Sequence, residues 1–398
     1  MSRVQAEPVS LTVDSRRRRA AKPRFLLTFL AWTSGLSGGD RHLLEVAGRW
    51  REHVEVAVIA PPQAFETIRS FLGDVAAHEL GSAAAGHAAL GPRLALEYVR
   101  RAVEASVRDL PTADVVVAAS HFTPDAAGLA RLVRRRTLGV AYVYHLIGGR
   151  SGLSPRTVWS KGDERLGLAV LRRFAGVVFV SNTPTSAALA NRGFEPVHTA
   201  LGLNLSALRQ GSPESLPPHA AFVARMARTK GVTDAIKAWS LVLQAVPDAR
   251  LRMVGTGPER EPAVAFAERL GISHSIEWCG FVAEPEKIRI LRDSRLLLAP
   301  SYEEGWGMSV GEALASGVPV AAYRLPVLDE LFGSAYLGAT PGDVTRLAAL
   351  AVRALTDDSF AAAHSRLGRQ AAEQYDVDLV AEQELEVILS RWNVAAVT

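Results

Sequence analysis

Twice along this chain, short apolar runs alternate with longer segments whose apolar residues recur every three or four positions. In the first series the candidate strands are 25–30, 54–60, 114–119, 140–145, 177–181 and 196–201, with periodic segments such as 43–50, 94–107 and 126–133 between them. Alternation of this kind specifies parallel strands: each crossover must return over a face of the sheet, and helices then cover both faces. A Pro-, Ser- and Gly-rich stretch, 210–218, reads as a linker. The second series follows, with strands expected at 220–224, 251–254, 275–278, 296–299 and 320–323 and helices at 232–245, 258–270 and 284–293. The segments 344–355, 359–375 and 379–392 read as helical. At 398 residues the chain is too long for one ordinary core. The expected fold class is α/β, with two Rossmann-like domains facing a cleft and ligands at the carboxyl ends of the strands.

One block of the second series concentrates chemistry. The apolar run 296–299 leads through Pro300 and Ser301 into Glu304-Gly305-Trp306-Gly307-Met308-Ser309-Val310-Gly311-Glu312. Its glycines let backbone come close to a ligand. A helix starting near Met308 aims free N–H groups and a positive dipole end at whatever lies before it, which suits a phosphate. Glu304 falls in the loop and Glu312 in the second turn of that helix. Gly317 fits a left-handed C-cap, and Pro319 prevents the helix from continuing. Carboxylates at the two ends can accept from hydroxyls on either side of a diphosphate, which is the layout of a nucleotide-sugar.

This block resembles the E-x7-E signature of retaining glycosyltransferases with the GT-B fold, in particular the large family four. The resemblance can be followed over roughly residues 24 to 393. It implies a glycosyltransferase of the hexosyltransferase type. A sugar would pass from an NDP-sugar to a hydroxyl acceptor: a small molecule, a lipid-linked sugar or a saccharide. The NDP-sugar is a co-substrate; no cofactor and no metal are implied. Glu312 would hold the ribose hydroxyls and Glu304 the donor sugar. Arg225 and Lys230, with backbone amides along Gly305, Trp306, Gly307, Met308 and Ser309, would hold the diphosphate. The resemblance also divides the chain into a basic tail (1–23), an acceptor domain (24–210), a nucleotide-sugar domain (211–376) and a last helix (377–398) that crosses back onto the first domain.

Weaker motifs join these. Arg225 and Lys230 follow the first strand of the second series and lead into a helix, where two cations can neutralise a leaving diphosphate. They match the family's R-x4-K element, with Arg228 as a bystander. Gly255 and Gly257 resemble its G-x-G-P turn, although a tight strand-to-helix turn explains them equally well. Gly35, Gly38, Gly39 and Asp40 resemble its glycine-rich first loop, with Asp40 where Glu is common; the stretch lacks a G-K-[ST] ending, which excludes a P-loop ATPase. His145 ends a candidate strand where relatives place a histidine facing the donor sugar, but Leu146 follows it where Asp is usual. His121 and Asp40 are weaker candidates on the acceptor side. Ser181-Asn182-Thr183 fits either a strand end at the cleft or a helix cap by Ser181 or Thr183.

Charge and cysteine content bound the setting. The net charge is +4, yet residues 1–24 carry seven basic and two acidic side chains, so the rest of the chain is near −1. The basicity belongs to the tail, a candidate peripheral contact with anionic lipid at an inner membrane face, and nucleic acid is not an expected partner. A single cysteine, Cys279, excludes an internal disulfide and fits a reducing cytoplasm. No apolar run reaches the ~20 residues needed to span a bilayer. Arg- and Ala-rich composition suggests a bacterial source. Two alternatives stand beside the transferase: a GT-B relative with different chemistry, such as an epimerase or a pseudo-glycosyl coupling enzyme, and a non-catalytic nucleotide-sugar-binding subunit.

Overall fold

The computed structural model describes residues 22–32, 36–81, 92–107, 109–146, 155–209 and 218–397. Most of the basic tail, Gly35, the linker residues 210–217 and Arg150 lie outside the described residues.

The first half runs β1 (Arg24–Thr28), α1 (Gly38–Trp50), β2 (Glu55–Ala60), α2 (Phe65–Leu72), β3 (Ala76–Glu79), α3 (Pro92–Val107), β4 (Val115–Ala118), α4 (Thr123–Leu132), β5 (Leu138–Val143), α5 (Pro155–Phe174), β6 (Val177–Val180), α6 (Thr183–Ala190), β7 (Pro196–His198) and α7 (Leu205–Leu208). The second runs β8 (His219–Val223), α8 (Val232–Ala245), β9 (Arg250–Val254), α9 (Arg260–Arg269), β10 (Ile276–Gly280), α10 (Glu284–Arg292), β11 (Leu296–Ala299), α11 (Met308–Ser316), β12 (Val320–Tyr323), α12 (Pro326–Phe332), β13 (Leu337–Ala339), α13 (Val344–Thr356), α14 (Asp358–Ala372) and α15 (Val377–Val397). The strands form two sheets, ordered β3-β2-β1-β4-β5-β6-β7 and β10-β9-β8-β11-β12-β13. Every paired neighbour is parallel.

The strands read as unbroken apolar runs because both faces of each sheet are covered. Phe25 and Leu27 of β1 point into one core cluster while Leu26 points into another. Leu296 and Leu298 of β11 likewise face one cluster and Leu297 the opposite one. The elements missing from the sequence reading lack this signal. β3 is an edge strand of Ala, Ala, His and Glu, largely exposed, and β13 has three residues. β5 ends at Val143, two residues before the expected end, so Tyr144 and His145 lie beyond the sheet.

α15 returns across the first half and packs on α1 and β5. Its Glu384, 1% exposed, accepts hydrogen bonds from Tyr142 Oη (2.6 Å) and Thr199 Oγ1, and from His42 Nε2 (3.0 Å). Gly202 N donates to His42 Nδ1 at 3.0 Å, which leaves the ring hydrogen on Nε2, toward Glu384. Trp50 Nε1 donates to Ala381 O at 2.9 Å.

Asp125 is a second buried carboxylate in this half. It takes Leu30 N and Ser120 Oγ, each at 2.6 Å. Burial outweighs these bonds and pushes the carboxyl up to about 7, from 3.8. The folded protein therefore binds this proton more tightly than the unfolded chain. The contribution to stability is present at low pH and is lost as pH rises toward 7. Asp125→Asn is expected to show a flatter stability profile than the parent between pH 4.5 and 7.5, measured as the urea midpoint; parallel profiles would show that Asp125 ionises freely.

Candidate functional site

Strand order reverses beside the first strand of each half, between β1 and β4 and between β8 and β11. Loops leave such a switch point in opposite directions and open a crevice at the carboxyl edge. In the second half the two loops touch. Gly231, at φ 65°, stands where a Cβ would lie 1.9 Å from Pro300 O, so no other residue fits. Tyr302 N donates to Thr229 O at 2.8 Å. This contact brings Lys230 Nζ to 2.7 Å from Glu304 Oε2 and to 3.2 Å from Glu303 O. The two side chains remain 21% and 12% exposed, so the pair is open to a ligand from the crevice.

Arg225 is exposed on the neighbouring turn. That turn is held by Met226 N to Thr256 O (2.9 Å) and Glu259 N to Met226 O (3.0 Å). Gly255 and Gly257, at φ 123° and 152°, allow it: a Cβ would fall 2.0 Å from Ala224 O and 2.4 Å from Met226 O. Their conformational freedom is spent on the backbone that carries Arg225. α11 starts at Met308 with Gly307 as N-cap at φ 94°, a cap with no side-chain acceptor, and ends on the left-handed Gly317. The first-turn amides, including those of Met308 and Ser309, therefore donate to no capping side chain. Trp306 differs from the rest of the block. Its indole is 3% exposed and packs edge-on against Phe332 (5.3 Å) and Tyr375 (5.1 Å), so only its backbone faces the loop.

The first half closes on this loop. Gly38 abuts Met308, with a Cβ position 3.1 Å from Met308 Cγ, so the N-termini of α1 and α11 meet. Gly39 passes under the Tyr144 ring, where a Cβ would lie 2.3 Å from Cε2, and Tyr144 Oη donates to Gly39 O at 2.9 Å. Asn182 Nδ2 donates to Tyr144 O and to Gly305 O, each at 2.9 Å, tying β5 and β6 to the Glu304 loop. The same Asn182 caps α6 by accepting from Thr185 N at 2.9 Å, so the cap is neither Ser181 nor Thr183. His145 is exposed at this seam, its Cβ 3.4 Å from the Cβ position of Gly305.

Two expected acceptor-side residues are placed otherwise. Asp40 closes a capping box with Ser37, accepting from Ser37 Oγ at 2.6 Å and from Ser37 N at 3.2 Å, and burial pushes its carboxyl up to about 6. His121 is 3% exposed beneath α5, its ring tilted against Phe122 with centroids 4.4 Å apart and Nε2 3.6 Å from Glu164 Oε2. Cys279 is half-buried, its thiol pushed up to about 11 mainly by burial, and it stays protonated.

Glu312 sits in an arrangement that no motif foretold. It is 1% exposed and accepts from Lys287 Nζ (2.8 Å) and from Arg41. Burial pushes this carboxyl up, but the two cations outweigh burial and hold it below its ordinary value. Glu284 completes the cluster, 2.6 Å from Arg41 and 3.0 Å from Lys287. Glu284 and Lys287 are a visible i,i+3 pair, but nothing local places them beside Glu312. Among the described residues no group of three His, Cys, Asp or Glu side chains could hold a metal ion, and no described helix is long and apolar enough to cross a membrane.

Two parallel α/β halves with their switch points facing across a crevice constitute the GT-B fold. Residues 208–374 match the sequence model of the family described as "Glycosyl transferases group 1". The chain is 34% identical over 164 residues to a 2-deoxystreptamine glucosyltransferase of Streptomyces kanamyceticus, covering 41% of this chain and 42% of that protein. It is 29% identical over 182 residues to a glycogen synthase of Mycobacterium tuberculosis, covering 45% and 44%. It thus spans less than half the length of these curated relatives. In three dimensions it is similar to HepE of Anabaena, solved with UDP and glucose (TM-score 0.72, 18% identity, 92% of this chain and 100% of that one). It is also similar to a sucrose-phosphate synthase of Thermosynechococcus elongatus (TM-score 0.70, 15% identity, 94% and 100%).

Proposed function

We propose that this protein is a retaining glycosyltransferase that moves a sugar from an NDP-sugar to a hydroxyl acceptor without a metal. The observation that carries the reading is the meeting of Lys230 with Glu304 beside the uncapped start of α11, at the switch point. A diphosphate there would take Lys230, Arg225 and the α11 amides, while Glu304, released from Lys230, would accept from donor-sugar hydroxyls. His145, exposed on the facing half, would meet the sugar from the other side. The acceptor oxygen attacks the anomeric carbon on the face from which the diphosphate departs. The C–O bond to phosphate breaks, the new glycosidic bond forms, and the acceptor proton passes to the leaving phosphate oxygen. Configuration is retained, and positioning with charge stabilisation supplies the rate.

Ligand-observed NMR with UDP-, GDP-, dTDP- and ADP-sugars tests the donor site. One nucleotide-sugar is expected to bind, and Glu304→Gln should weaken the nucleotide-sugar severalfold more than the free nucleotide. Absence of binding by all four would overturn the assignment. Retention is read from the anomeric coupling constant of the product.

A further inference from the structure

α3 and α5 carry an apolar surface that the fold leaves uncovered. With α4 and α6 they cover one face of the first sheet, sharing a core cluster through Ala105, Leu129, Leu168 and Leu189. α4 packs between α3 and α5. Among the described residues thirteen large apolar side chains stand exposed, and seven of them lie on α3 and α5. On α3 they are Leu96, Val99, Val103 and Val107, from 51% to 72% exposed. Spacings of three and four residues put them on one outward stripe. On α5 they are Val158, Trp159 and Leu166. No side chain of α4 is exposed, so the two apolar helices stand as ridges on either side of it.

The charge around these ridges is positive. Arg165, Arg172 and Arg192 are exposed along a groove between α5 and the turn after α6, which Lys161 also lines. The acid of that lining, Glu164, is turned inward onto His121. On α3, Arg100 is exposed beside the stripe. Glu97 and Glu104 are held off it: Glu97 accepts from Arg101 Nε at 3.0 Å, and Glu104 accepts from Gly81 N at 2.7 Å. Residues 92–195 carry fifteen basic and eight acidic side chains, while the chain outside this segment and the tail is near −8. The near-neutral total of the body therefore conceals a division of charge.

Single apolar side chains on a surface are ordinary, but a continuous stripe marks a contact. Valine is under-represented among the side chains that anchor protein partners. It offers nothing to a phosphodiester, and the basic tail would be repelled by the cations. Aliphatic ridges beside a row of cations match a bilayer with anionic headgroups. The aliphatic side chains enter the headgroup–acyl boundary, Trp159 sits at the interface, and the cations stay level with the phosphates. We propose that the α3–α5 face docks on an anionic membrane surface, with the two helices lying along it. The contact belongs to the folded first half and does not need the tail. It is also independent of the donor-site reading, because none of these residues belongs to the Glu304 site.

The test is flotation of the full chain with phosphatidylcholine vesicles, with and without phosphatidylglycerol. The parent is expected to float with the anionic vesicles and to stay behind with the neutral ones. Val99→Asp/Val103→Asp changes two exposed positions and spares the core; it should lower partitioning about tenfold or more. Arg165→Glu/Arg172→Glu should do the same, since each cation near such a surface is worth about fivefold. Both variants should keep the parent's urea midpoint. A tail variant with Arg16, Arg17, Arg18 and Arg19 each changed to Gln should still float. A parent that ignores anionic vesicles overturns the proposal. So does a loss of flotation confined to the tail variant, which would place the contact on the tail. If Val99→Asp/Val103→Asp abolishes self-association in analytical ultracentrifugation and leaves flotation unchanged, the face covers a second copy of this chain and the proposal is overturned.

Discussion

Lys230→Ala is expected to lower kcat by about two to three orders of magnitude while moving the unfolding free energy by no more than about 1 kcal/mol. The two effects separate because Lys230 plays different parts in the resting protein and in the reaction. At rest it forms a partly exposed pair with Glu304 at 2.7 Å, and pairs of that kind contribute about 0.2–1 kcal/mol. In the proposed transfer, negative charge would grow on the departing diphosphate beside Lys230, where removal of one preorganised donor typically costs about 10²–10³ in rate. Arg225 stands on the adjacent turn and retains part of the stabilisation, which keeps the loss finite. Steady-state kinetics alongside urea denaturation would decide the matter. Near-normal turnover in a folded variant removes Lys230 from the mechanism, and an equal loss of stability would mean that the pair only braces two loops.

The largest effect on stability is expected at Glu384, on the last helix. This side chain is 1% exposed and collects Tyr142, Thr199 and His42. Glu384→Ala would strand those donors where water cannot replace the carboxylate. Each unsatisfied group costs about 1–3 kcal/mol, so a loss of at least about 3 kcal/mol is expected, read as a lowered urea midpoint. Because α15 begins at Val377, directly after the second half, and packs on the first, the loss should also loosen the two halves. Limited proteolysis near residues 198–210 should then speed up in the variant. An unchanged midpoint would mean that α15 is held by its apolar contacts alone. Asp125→Asn, by contrast, should alter how stability depends on pH more than it alters stability itself.

Much of the architecture was legible because it rests on local rules. A strand covered on both faces has to be apolar at every position, and β4, β6, β11 and β12 are so. Helix ends follow from backbone geometry: Gly317 at φ 78° closes α11, and Gly231 at φ 65° opens α8. The short edge strand β3 lacks the burial that makes strands visible. α5 was hidden because its apolar residues are sparse among Arg, Lys and Asp side chains.

The candidate site divides along the same line. Glu304, Glu312, Arg225 and Lys230 are recognisable because their spacing on a strand–loop–helix unit is set by the chain itself. The pairing of Lys230 with Glu304, the burial of the Trp306 indole and the use of Gly255 and Gly257 against the 224–226 turn depend on how neighbouring loops stack. Asn182 looked like part of a cap; the bonds it also makes to Tyr144 O and Gly305 O span 38 and 123 residues of sequence.

The amino-acid sequence by itself determined two parallel α/β halves, a helix start without a capping side chain and the carboxylates that flank it, since each follows from hydrophobic period, glycine placement and chain spacing. Only the tertiary structure decided what Glu312 faces. Its partner Arg41 lies 271 residues away on the other half, and a contact of that range is set by the angle at which two separately built sheets come together.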